Sequence, residues 1–136
     1  MNLAHRAAAT QATWDKYRGR TFDWKGATCI HVLRFHLRSM GHKPPRLPAF
    51  QSPIGARRAL ANRGWGGLSD LSRGIGLMEI GTAEMIVGDV AILPGNEGFD
   101  ALTICAGNKF MGFQEEAAGF QMMELDRPAI ITAFRI

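Results

Sequence analysis

At 136 residues, 46% hydrophobic and 21% charged, the chain has the size and balance of one globular domain that buries a core without covalent staples. No run approaches the roughly 18 apolar residues of a membrane span, and Met1-Asn2-Leu3-Ala4-His5-Arg6 with three alanines after it is too weakly apolar for a secretory leader, so a soluble protein that stays where it is made is expected. Two cysteines make no disulfide framework, and the net charge of +4 hides a dipole: residues 1–63 hold 12 Lys/Arg against Asp15 and Asp23 (+10), whereas residues 64–136 hold 4 against 10 Asp/Glu (−6).

A first helix is expected over about residues 3–18, capped by Asn2, with Leu3, Ala7, Thr10, Trp14 and Tyr17 on one stripe and Gly19 as its stop. The aromatic loop Thr21-Phe22-Asp23-Trp24-Lys25-Gly26-Ala27 follows. Thr28 caps a second helix over about 29–40, with Ile30, Leu33, Phe35 and Leu37 apolar and Arg34 and Arg38 together on another face. Gly41 and Pro44-Pro45 end it, and residues 41–51 read as an extended connector. Ser52-Pro53 opens a third helix ending near Gly64, and Gly66-Gly67 precedes a short fourth from Leu68 to Arg73. From Met78 the period changes. Val90–Leu93, the turn Pro94-Gly95-Asn96, Ala101–Ala106, the hairpin signal Gly107-Asn108, Lys109–Phe113, Phe120–Leu125 and Ala129–Phe134 read as antiparallel strands. Helices first and strands after make an α+β domain, with N-terminal helices packed on a C-terminal antiparallel sheet: residues 1–20 a leading helix, 21–77 a helical half and 78–136 a strand half of one unit.

Chemistry has one candidate. Cys29 stands at the first turn of a helix, where unpaired N–H groups and the helix dipole favour a thiolate; a buried structural cysteine is the plain alternative, and the same holds for Cys105. Phe22-Asp23-Trp24-Lys25-Gly26-Ala27-Thr28-Cys29 resembles the aromatic–Trp–Gly–x–x–Asp–Cys entry of the NlpC-type, papain-like cysteine peptidases. Gly88-Asp89-Val90-Ala91-Ile92-Leu93 is similar to that family's Gly-Asp-Leu-Val-aromatic strand, and Ala101-Leu102-Thr103-Ile104-Cys105-Ala106-Gly107-Asn108 to its His-Val-Gly-Ile-aromatic-x-Gly-Asn strand. The closing Ala133-Phe134-Arg135-Ile136 resembles a small branch carried by tailed phages. The resemblance covers roughly residues 20–136 and implies a papain-like layout with Cys29 in the nucleophile position, close to the start of the 101–106 strand.

The departures bear on function. Ala101 stands where the family has its catalytic histidine, Thr28 where it commonly has Asp, and all four histidines (His5, His31, His36, His42) precede residue 43. His31 lies about 200° around the helix from Cys29 and His36 roughly 10 Å along it. Asp100 is the one substitute base, if the register slips by one. No cofactor and no metal are expected; a Cys29/His31/His36/Cys105 set lacks the usual ligand spacing. Gly74-Ile75-Gly76 lacks the flanks of a phosphate loop. The leading expectation is a structural component of a tailed-phage virion, at the tail tip, assembled in the host cytoplasm in several copies among other tail proteins, with peptidoglycan a further partner. One alternative is an active cysteine hydrolase cutting peptide or amide bonds in peptidoglycan. The other is a basic adaptor using Arg57, Arg58 and Arg63 on nucleic acid, a partner for which no recognised motif speaks.

Overall fold

The computed structural model describes residues 2–46, 50–95, 99–113, 119–125 and 127–136. Residues 47–49 of the expected connector and Asn96 of the expected turn lie outside them. The helical half contains α1 (Leu3–Tyr17), α2 (Cys29–Ser39), α3 (Pro53–Ala61) and α4 (Leu68–Gly74). The strand half contains β1 (Met78–Ile80), β2 (Val90–Leu93), β3 (Ala101–Cys105), β4 (Phe110–Phe113), β5 (Phe120–Met123) and β6 (Thr132–Arg135). Short 3-10 turns occupy Thr82–Glu84 and Arg127–Ala129, so the last strand begins three residues later than its apolar run suggests. The caps follow local chemistry. Asn2 accepts the N–H of His5, Ser52 that of Gly55, and Thr28 forms a reciprocal capping box with His31.

The strands make one antiparallel sheet in the order β1-β6-β2-β3-β4-β5. Alternation sorts its side chains onto two faces. Val90, Ile92, Leu102, Ile104, Met111, Phe120 and Phe134 join the helices in the main core, while Ala91, Cys105, Phe110 and Ala133 pack beneath Met85 and Ile130 on the other side. Helix α2 lies centrally, its Ile30, Val32, Leu33 and Leu37 buried between α1 and β3.

Helix α1 buries Thr10 and Tyr17 of the expected stripe, but the buried face is rotated away from its other members. Arg6, Ala9, Thr10, Thr13 and Tyr17 point inward, whereas Leu3 and Ala7 are exposed and Trp14 is half-buried. The reason is polar. Arg6 reaches a buried carboxylate and Thr13 a buried imidazole, and apolar periodicity is blind to both partners because they come from other elements.

Candidate functional site

The aromatic loop is what brings Cys29 to β3. Trp24 packs edge-on against Phe22, Phe50 and Phe99, with ring centroids 5.0, 6.5 and 5.8 Å away. Phe99 lies two residues before β3, so this cluster ties the segment ahead of α2 to the segment ahead of that strand. The Cys29 sulfur accepts the Leu102 N–H at 3.4 Å and lies 4.0 Å from the Leu102 carbonyl oxygen. The expected neighbourhood of Cys29 and the start of the 101–106 strand is therefore present.

Burial works against the expected activation. Cys29 is buried, and burial pushes its thiol above the ordinary value, outweighing the backbone N–H groups of Leu102 and Cys29 that pull the other way. A helix start favours a thiolate only while the sulfur keeps some access to water; here desolvation is the larger effect.

No imidazole or carboxylate stands within hydrogen-bond reach of the sulfur among the described residues. Ala101 has no titratable group, and alternation sets it with Thr103 and Cys105 on the face opposite Leu102. Asp100 is half-buried beside the start of α4, where a Cβ built on Gly67 would come within 3.5 Å of its Oδ2, and it makes no hydrogen bond among the described residues. His31 is engaged locally: its Nδ1 lies 2.8 Å from Thr28 Oγ1, its ring 5.6 Å from that of Phe50, and burial lowers its pKa. Cys105 sits on the other face of the sheet, its thiol also raised by burial. Among the described residues no three His, Cys, Asp or Glu side chains gather as a metal would require.

The densest polar centre lies elsewhere, at Gly88-Asp89. The Asp89 carboxylate is fully buried and receives four donors: the Arg6 guanidinium and the Ile136 N–H on Oδ1, the Arg135 guanidinium and the Ile86 N–H on Oδ2. Arg6 also donates to the carbonyl oxygens of Val87 and Ile136. Next to it, His36 Nε2 donates to the Gly88 carbonyl at 2.8 Å while Nδ1 meets Thr13 Oγ1 at 2.9 Å. Burial, helped by the nearby Arg6 charge, lowers the His36 pKa to about 4, so the ring is neutral. Gly88 has φ +92°, and a Cβ there would meet Met40 Cε at 2.9 Å and Thr10 Oγ1 at 3.3 Å, which leaves glycine as the residue that fits. This centre joins α1, α2, the entry to β2 and the end of β6. Its members were visible as residues of the Gly-Asp and Phe-Arg-Ile motifs; their partnership with Arg6 and His36 had no local signal.

Fold and site together define an α+β domain in which a helix-start cysteine is buried against a sheet strand and a caged carboxylate locks helix to sheet. The chain belongs to the family of a domain of unknown function, DUF6950, whose model matches residues 1–136. No curated protein matches it.

Proposed function

We propose that this chain is a structural component of a tailed-phage virion, at the tail tip, built on an NlpC-type papain-like fold that has lost its hydrolase chemistry. One observation carries the loss: the Cys29 sulfur is buried against the Leu102 backbone with no proton-shuttling group beside it among the described residues, and Ala101 fills the strand position that the resemblance gives to histidine. A papain-like reaction needs a thiolate, a group that protonates the leaving amine and donors for the oxyanion. Among the described residues, only backbone donors stand at the sulfur. The virion assignment rests on the phage-branch resemblance of the closing Ala-Phe-Arg-Ile and on the charge dipole, which suits a protein set between unlike neighbours during assembly in the host cytoplasm. No helix among the described residues is long and apolar enough to cross a membrane.

Two measurements test the two halves of this reading. Purified protein on peptidoglycan sacculi, beside Cys29→Ser, should release no peptides above background; release that the substitution abolishes would return the active hydrolase. Mass spectrometry of purified particles should find the chain in the tail fraction, and its absence from particles removes the virion assignment.

A further inference from the structure

Between Asp23 and Asp70 the sequence holds no Asp or Glu. That stretch carries α2, the connector and α3, and its cations Arg38, Lys43, Arg46, Arg57, Arg58 and Arg63 are all exposed. Every ion pair among the described residues belongs to Arg6, Arg73 or Arg135, so none of these six is neutralised by them. A solvated helix face usually intersperses both signs, and Arg38 and Arg58 in the last turns of α2 and α3 suit the helix dipoles. The other four stand outside those turns. The fold also brings the three segments together. Pro44 and Pro45 share a small cavity with Leu33 and Leu37 of α2, which lays the connector along that helix. The Arg63 guanidinium, just past α3, donates to the Arg46 carbonyl oxygen at 2.8 Å. On α3, Ala56, Ala59 and Leu60 face inward, which leaves Arg57 and Arg58 outward.

We propose that this surface of helix, connector and helix binds the phosphate backbone of a nucleic-acid duplex, as an electrostatic contact that does not read sequence. Five of the six cations are guanidinium groups, whose fork of N–H donors matches a phosphate. Among the described residues of the stretch, Ile54 is the one exposed large apolar side chain, whereas a protein partner or a lipid surface needs an apolar centre to bury. Phe35, Phe50 and Trp65 are partly covered, so unpaired bases of a single strand find no open ring to stack on. A second copy has few carboxylates to offer: Asp70 and Glu79 are paired with Arg73, and Asp89 is buried. The inference stands whether or not the chain is part of a virion.

The test is fluorescence anisotropy of the full chain on a labelled duplex of about 20 base pairs across a salt series. Log Kd should rise linearly with log salt, with a slope of about 3–5, since each phosphate neutralised contributes about 0.9. Arg57→Gln/Arg58→Gln should lower that slope by about 2 and raise Kd at low salt about tenfold or more. Both side chains are exposed and glutamine is a good helix former, so the variant should keep its fold. Arg46→Gln, on the connector, should lower the slope by about 1. Lys109→Gln removes one exposed charge at the β3–β4 hairpin and should leave the slope unchanged. Any of four results overturns the proposal: no duplex binding at low salt; a slope unchanged in the Arg57/Arg58 variant; a loss in Lys109→Gln equal to that in Arg46→Gln, which would make net charge the cause; or tighter binding to phosphatidylserine vesicles or to a single strand than to the duplex.

Discussion

Cys29 and Asp89 are both buried, both belong to motifs of the same family resemblance, and they behave in opposite ways. The cysteine is the residue that draws the eye in the sequence, yet its sulfur meets backbone N–H donors alone among the described residues and its thiol is pushed up by burial. The aspartate reads as an ordinary strand-entry residue, yet it gathers four donors from three segments of the chain. The difference is that a neutral thiol tolerates an apolar pocket with little help, whereas a buried carboxylate survives only inside a complete cage of donors. The first needs no charged partner from the tertiary structure; the second recruits several. Polar centres of the second kind hold the architecture, and positions of the first kind carry chemistry only when a proton-transferring partner is supplied.

Breaking the Asp89 cage should have the largest effect. Asp89→Ala leaves the Arg6 guanidinium buried and uncompensated, and urea denaturation should show a loss of about 3–5 kcal/mol. Arg6→Met alone should cost a similar amount, while the Arg6→Met/Asp89→Leu pair should recover much of it because no lone charge remains; a double variant as unstable as the sum of the two would mean the cage does not act as a unit.

The imidazole beside the cage should impose a pH dependence. His36 ionises near 6.5 when unfolded and near about 4 when folded, so between these values the unfolded chain binds the extra proton. The stability tied to the neutral ring is full above pH 6.5 and is lost as the pH falls towards 4, amounting to about 3 kcal/mol. Denaturation series across that window should show this slope, and His36→Gln should flatten it even though the variant is less stable throughout. An unchanged slope in the variant assigns the acid sensitivity to the carboxylates instead.

Gly88→Ala comes next. The backbone is left-handed there and the new methyl would press on Met40, so a loss of about 1–3 kcal/mol is expected in the same assay. The smallest effect belongs to the other half of the comparison. Cys29→Ala removes one small buried group and should cost about 1 kcal/mol. In the folded protein both thiols should react slowly with a disulfide reagent at pH 8, and at ordinary thiol rates once denatured. Fast modification of Cys29 in the native state would show that its sulfur reaches solvent and would reopen the case for chemistry.

Much of the framework was legible residue by residue. Asn2, Thr28 and Ser52-Pro53 mark helix starts because capping is a contact between residues three apart, and the α+β order follows from the change of apolar period near Met78. The neighbourhood of Cys29 and the 101–106 strand came from the order of motifs rather than from any local property. The buried face of α1 was read only at Thr10 and Tyr17, because a hydrophobic stripe was sought and the buried one also contains Arg6 and Thr13. The thiolate expectation overlooks a related effect: a helix start is a local feature, but the burial that works against it comes from packing against β3 and the Trp24 cluster.

The sequence alone determined where the helices and the middle strands begin, the uneven charge of the two halves, and the absence of a histidine from the strand half, because these depend on residue identity and short-range spacing. The tertiary structure alone decided that Arg6 meets Asp89 across 83 positions, that His36 meets Gly88 across 52, and that the Cys29 thiol is buried and pushed up. Burial and the partners of a buried charge are properties of the assembled core, where segments distant in the chain replace water, and no local pattern encodes which segment will do so.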